Sequence, residues 1–175
     1  MADFTRTQIG VAAGMAGGLA VTIAAFSWPV LPAVQADGEA RLTAWFACAA
    51  FAAIWLLISV GRLAGHRFFT PADIDGGGHT EGTPQARLLQ SLIQNTLEQT
   101  MLAITAYGSW LWLAPEGRRG LAIVCAMLFG LGRLLFFAGY AYGAPFRALG
   151  FTLTFYPTVG LYLFLLPAIF SRLFS

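Results

Sequence analysis

The sequence predicts an all-α, polytopic membrane helix bundle, and three observations carry that prediction. Of its 175 residues, 58% are hydrophobic and only 10% charged, with a mean hydropathy of +0.70, too little polarity to cover a water-facing surface. The apolar residues fall in long stretches separated by short Gly-, Pro- and Arg-bearing connectors. No ten-residue alternating pattern runs through them, so a helix bundle is preferred to a barrel, the other architecture that satisfies every backbone amide in hydrocarbon.

A hydrocarbon core of about 30 Å needs roughly 20 apolar residues in a helix. Five stretches reach that length: Ile9–Val34, Leu42–Ala64, Leu88–Leu113, Gly120–Tyr142 and Thr152–Phe174. The first, with Arg6 before it and Val34-Gln35-Ala36 behind it, has the outline of a secretory signal, but its apolar run exceeds the roughly 7–15 residues of a signal core, and it is expected as a retained span. Gly10, Gly14 and Gly18 recur every fourth residue on it, a pattern that lets two helix backbones pack closely in lipid. Trp28, Trp110 and Trp112 stand near span ends, where indole rings prefer the interface.

All ten basic residues are Arg, and the net charge of +2 is small and dispersed, which excludes a nucleic-acid footprint. Cys48 and Cys125 lie inside apolar stretches and read as inert core thiols. With alternating spans, Arg6, Arg62, Arg67, Arg87 and Arg147 share one side and Arg41, Arg118, Arg119 and Arg172 the other; the first group is placed on the cytoplasmic side with the N-terminus. The connector from Gly65 to Ala86 holds both histidines, His66 and His79, and reads as a mobile loop. Its Asp73-Ile-Asp75-Gly76-Gly77-Gly78 run begins like a calcium loop, but Pro84 stands where the twelfth-position Glu is required, so no metal site is expected.

Charges inside spans are costly and mark candidate sites. Glu98 in the third span and Arg133 in the fourth are the clear cases. Arg87, Ser91, Gln94, Asn95 and Glu98 recur at three- or four-residue spacing and form one helical stripe. Arg133, Phe136, Tyr140 and Arg147 recur in the same way if the fourth helix continues past Gly143-Ala144-Pro145. One reading is a buried Glu98–Arg133 ion pair with Asn95 bridging helices. The other is a wet pocket for a small anionic or zwitterionic ligand, in which an Arg fork takes a carboxylate, Glu98 takes an ammonium group, and donors aimed at a thiol favour its thiolate.

The run Arg87-Leu-Leu-Gln-Ser-Leu-Ile-Gln-Asn95-Thr-Leu-Glu98, followed by Gly132-Arg133-Leu-Leu-Phe-Phe-Ala-Gly139-Tyr140, resembles the membrane-associated proteins in eicosanoid and glutathione metabolism (MAPEG). The resemblance extends from Leu42 to the C-terminus and implies a four-helix domain over 42–175, with residues 1–41 an added N-terminal span and connector. It implies a homotrimer in the lipid bilayer, glutathione bound between subunits as co-substrate, and a lipophilic small-molecule substrate. By the same resemblance Asn95, Glu98, Arg133 and Tyr140 hold glutathione, Arg147 activates its thiol, and either Arg62 or Arg67 matches an Arg near the end of the family's first helix.

Three positions depart from the family pattern: Ser91 replaces an Arg, Phe136 a Tyr, and Gln99 the Tyr that follows the Glu in leukotriene-type members. Arg87, one turn further out on the same face, is the residue that would reach for glutathione in place of Ser91. The expected function is a glutathione-dependent transferase or peroxidase acting on lipophilic electrophiles, in a bacterial inner membrane. The alternatives are a non-enzymatic MAPEG-like scaffold or accessory subunit of a larger membrane complex, and, third, a transporter or proton relay on Glu98 and Arg133, which no internal repeat supports.

Overall fold

The computed structural model describes residues 2–77 and 79–173, with side chains from residue 4 onward. Within these the chain forms five long α-helices: α1 (Ala2–Ser27), α2 (Gly38–Phe69), α3 (Pro84–Leu113), α4 (Leu121–Gly139) and α5 (Ala144–Leu173). Single 3-10 turns follow α3 at Glu116–Arg118 and α4 at Tyr140–Tyr142. The expected helical class is what forms.

Four helical stretches are long and apolar enough to cross a membrane, and the chain is an integral multi-pass membrane protein. The fifth expected stretch, Leu88–Leu113, falls in α3, which is helical as expected but less apolar than the other four. At 30 residues α3 is as long as α5 and close to α2 in length, and its Gln, Asn and Glu residues are what lower its apolarity. It packs against α2 and α5.

Local chemistry sets the helix ends. The first helix stops at Ser27 rather than Val34, because Pro29 and Pro32 cannot continue it and hold the preceding residues extended. Arg118 donates to Phe26 O in the last turn of α1 and, at 3.5 Å, to Trp28 O just beyond it. Asp37 caps α2 by accepting from Ala40 N at 2.8 Å, and Thr83 caps α3 by accepting from Ala86 N at 3.2 Å with Pro84 next in line. The last helix begins at Ala144, eight residues before the expected Thr152, and the expected end at Phe174 lies outside the described residues.

The helices α1, α3 and α5 run one way and α2 and α4 the other, as their contacts show. Phe26 meets Phe164 while Gly10 meets Pro145, and Trp55 and Arg62 lie along the α4 stretch from Gly130 to Phe137. One core, including Cys48, Tyr107, Leu111, Cys125, Phe129 and Leu161, fills the space between α2, α3, α4 and α5. A smaller cluster of Leu63, Ala86, Leu89, Leu92 and Phe136 lies under the α2–α3 connector. Trp28 and Trp112 are exposed, but Trp110 is buried and donates to Arg118 O at 2.8 Å, so it braces the α3–α4 turn rather than anchoring in an interface.

The glycine stripe of α1 is a packing face, as its spacing predicts, and its partner is α5. A Cβ at Gly14 would lie 2.7 Å from Ala148 Cβ, and one at Gly18 only 2.1 Å from Thr152 Oγ1. Thr152 uses the proximity to donate to Gly14 O at 3.1 Å. Lipid offers no hydrophobic drive for helix association, so close packing and such bonds hold α1 in place.

Candidate functional site

The α2–α3 connector, expected as mobile, has a fixed centre. Asp73 is 1% exposed, and its carboxylate accepts from Thr83 N at 2.8 Å, from Thr83 Oγ1 at 2.6 Å and from His66 Nε2 at 2.9 Å. Those Thr83 bonds, assisted by His66, hold the Asp73 carboxyl below its ordinary pKa. Of the calcium-like run, Asp73 thus ties the end of α2 to the cap of α3, and Gly78 lies outside the described residues.

Arg133 is fully buried, held by α3 and α5 and against a ring of its own helix. Its Nη1 donates to Asn95 Oδ1 on α3 at 2.9 Å, its Nη2 to Thr154 Oγ1 on α5 at 2.7 Å, and its plane lies 4.5 Å from the Phe136 ring centre. The predicted Glu98–Arg133 ion pair does not form. Glu98 lies on the exposed side of α3 and accepts from Gln94 Nε2 at 2.7 Å, and the His66–Asp73 contact is the ion pair among the described residues. Stripe members Arg87, Ser91, Gln94 and Glu98 are all exposed, and Asn95 alone turns inward. Arg87 is held by its own loop, donating to Gly82 O at 2.5 Å and Glu81 O at 3.3 Å.

A cavity of about 560 Å³ opens between α1, α4 and α5, with Asn95 at its inner edge. Tyr140 and Arg147 stand at one end, and Phe151, Phe155 and Tyr156 continue its wall along α5, with Val11 and Met15 of α1 opposite. Arg147 does not extend the fourth helix. Gly143, at φ +101°, breaks the chain there, and Arg147 sits in the first turn of α5, folded back so that its guanidinium lies 4.4 Å over the Tyr140 ring. Among the described residues no carboxylate lies within ion-pair distance of Arg147. A cation there also meets the positive end of the α5 dipole, so two sources of positive potential converge at this end of the cavity.

The geometry therefore gathers Asn95, Tyr140 and Arg147 at one cavity. Arg133 lies behind Asn95 without lining the cavity, and Arg87 and Glu98 stand outside it on the exposed face of α3. Thr154 and Gln99, both buried, complete the polar seam: Thr154 Oγ1 donates to Phe151 O at 2.7 Å and lies 3.5 Å from Gln99 Oε1. Thr154 was not legible as a site residue, and its one signal is the Thr152, Thr154, Thr158 series inside an apolar helix.

A helical membrane protein with a buried Arg–Asn pair and a second Arg, without a carboxylate partner among the described residues, at an open cavity between helices is the class that this fold and site define. The MAPEG family model matches residues 42–167, most of the chain from early α2 into the last turns of α5, and the protein belongs to that family. Membership places it among the membrane proteins of glutathione and eicosanoid metabolism. No curated protein and no solved structure matches the chain.

Proposed function

We propose that the protein is a glutathione-dependent transferase or peroxidase that acts on lipophilic electrophiles, with Arg147 as the thiol-activating residue. The observation that carries this reading is the Arg147 guanidinium: free of any carboxylate among the described residues, at the positive end of α5, and facing a cavity large enough for a small co-substrate.

The donor set fits glutathione at this end of the cavity. Arg147 favours the anionic over the protonated sulfur by direct electrostatic stabilisation, and stacking on Tyr140 limits the orientations its fork can take. Asn95, fixed by Arg133, presents an amide to the same space. Glutathione supplies the sulfur nucleophile. In conjugation its thiol proton goes to water, an S–C bond forms to the electrophile, and the leaving group departs with the bonding pair. In peroxide reduction the acceptor oxygen is reduced to alcohol and water as two thiols become a disulfide.

Assembly completes the reading. Glu98 and Gln94 project from the middle of a 30-residue helix, where a lipid-exposed carboxylate is costly. A homotrimer that turns this face of α3 toward a neighbour gives Glu98 a polar setting and lets it meet the glutathione ammonium group. Residues 42–175 then form the family domain, and 1–41 an added helix and connector. Ser91 and Phe136, which remove donors found in the family, favour a second reading, a scaffold or accessory subunit that keeps the α3 seam for assembly alone.

Calorimetry of glutathione with the detergent-purified protein, beside an absorbance scan for thiolate, separates the two. Saturable binding with a thiolate signal at neutral pH that Arg147→Ala removes is the expected result. An intact oligomer that binds no glutathione overturns the enzyme reading in favour of the scaffold.

A further inference from the structure

The first helix lies outside the segment that matches the family model, yet it forms one wall of the cavity. Its position is fixed on the cavity's own helix. Gly10 rests against Pro145, Gly14 against Ala148 and Gly18 against Thr152, closely enough that a Cβ at any of the three would clash, and Thr152 Oγ1 bonds across to Gly14 O. Val11 and Met15 each follow one of these glycines, so the contact that docks α1 also aims them into the cavity. Opposite them are Phe151 and Phe155, stacked with ring centres 5.4 Å apart.

From Arg147 to Tyr156 the α5 wall runs about 13 Å at 1.5 Å per residue. It begins at a cation and continues through aromatic and aliphatic side chains. Without α1, this stretch of α4 and α5 would be an open groove on the lipid side. With it, the groove is a half-closed slot, bounded toward lipid by Met15, which is itself 45% exposed at the rim.

We propose that Val11 and Met15 of α1 are specificity-determining residues, forming the outer wall of a slot that admits a slender lipophilic molecule with its reactive end toward Arg147. This rests on the proposed function for what happens at Arg147, but occupancy of the slot does not. Met is suited to the position, because its unbranched, polarizable side chain adapts to an apolar body while still excluding a wide one. The occupant class is an alkyl or single-ring aryl electrophile, and branched or fused-ring bodies are rejected at the α1 wall.

The test uses the full-length protein in lipid nanodiscs and an alkyl diazirine photoprobe, with labelled positions mapped by peptide mass spectrometry. Labelling concentrated on Met15, Phe151 and Phe155, and competed by a straight-chain but not a branched alkyl halide, is the expected outcome. Met15→Ala should shrink the straight-over-branched preference about tenfold, the scale set by a few methylenes in an apolar pocket, and Met15→Phe should weaken probe labelling of Phe151 and Phe155. Ile23→Ala, on an exposed part of α1 away from the cavity, serves as the control and should change nothing. Labelling spread evenly over the lipid-facing helices, or a preference indifferent to Met15, overturns the proposal. Slot labelling that responds to Met15 while glutathione neither binds nor turns over would leave it standing and refute the thiol chemistry at Arg147.

Discussion

Arg133 and Thr154 are joined across α4 and α5 by a 2.7 Å hydrogen bond in which the threonine hydroxyl accepts from Nη2 while giving its own proton to Phe151 O at 2.7 Å. The hydroxyl has one proton and two lone pairs, so both bonds are satisfied at once. With Nη1 on Asn95, the guanidinium ties α4 to both α3 and α5.

Thr154→Val keeps the shape of the side chain and removes the acceptor. A buried cation then loses one partner, which costs about 1–3 kcal/mol. Thermal unfolding in detergent should show Thr154→Val clearly destabilised and Thr154→Ser close to wild type. Equal Tm values for the two would mean that the bond to Arg133 contributes nothing.

Glu98 should behave in the opposite way. Its carboxylate is exposed on the protomer and meets only Gln94, so Glu98→Gln should change protomer stability by no more than about 0.5 kcal/mol. Its effect belongs to whatever covers α3. Native mass spectrometry should find the assembly weakened or glutathione binding reduced, and a variant unaltered in both would remove Glu98 from the site.

The difference between these two residues explains what the sequence disclosed and what it withheld. Helical period placed Arg87, Ser91, Gln94 and Glu98 on one face. Period does not say whether a polar face looks into its own bundle or toward a neighbour, since both are sheltered from lipid, and here the face points outward. Arg133 stood out because an arginine in an apolar run has few explanations. Thr154 did not, because a threonine in a membrane helix ordinarily bonds its own preceding turn, as Thr158 does with Thr154 O at 2.9 Å. The bundle itself was legible from length and apolarity, while the early stop of α1 was hidden because Trp28 to Pro32 is apolar in composition but broken by two prolines.

The Asp73 latch carries a pH dependence of fixed sign. Its carboxyl is held below its ordinary pKa by Thr83 and His66, so its contribution is complete above the unfolded carboxyl value of about 3.9 and is lost as pH falls through the lower folded value. Limited proteolysis of the 70–83 connector should therefore stay slow at neutral and mildly acidic pH and rise only in strong acid. Asp73→Asn should expose the connector at every pH. Thr83→Ala, which also removes the α3 cap, should cost about 1 kcal/mol at neutral pH. A connector cut equally fast in the wild type and Asp73→Asn would show that the latch does not hold it.

Docking of α1 depends on the glycine stripe more than on apolar character, which leads to a prediction that separates the two. Gly18→Leu raises the hydrophobicity of α1 and so favours its insertion, but a Cβ there would lie 2.1 Å from Thr152 Oγ1, and overpacking of this kind costs about 1–3 kcal/mol. Gly17, one position away, has only the flexible Leu149 Cδ1 near it at 3.4 Å, so Gly17→Leu adds the same apolar surface with little strain. Hydrogen exchange in nanodiscs should find the α1 amides less protected in Gly18→Leu and unchanged in Gly17→Leu, with α2–α4 alike in both. If α1 is held to α5 by backbone proximity and the Thr152 to Gly14 bond, only the first substitution releases it. Release by both would mean that lipid-facing surface, rather than the helix contact, sets where α1 sits.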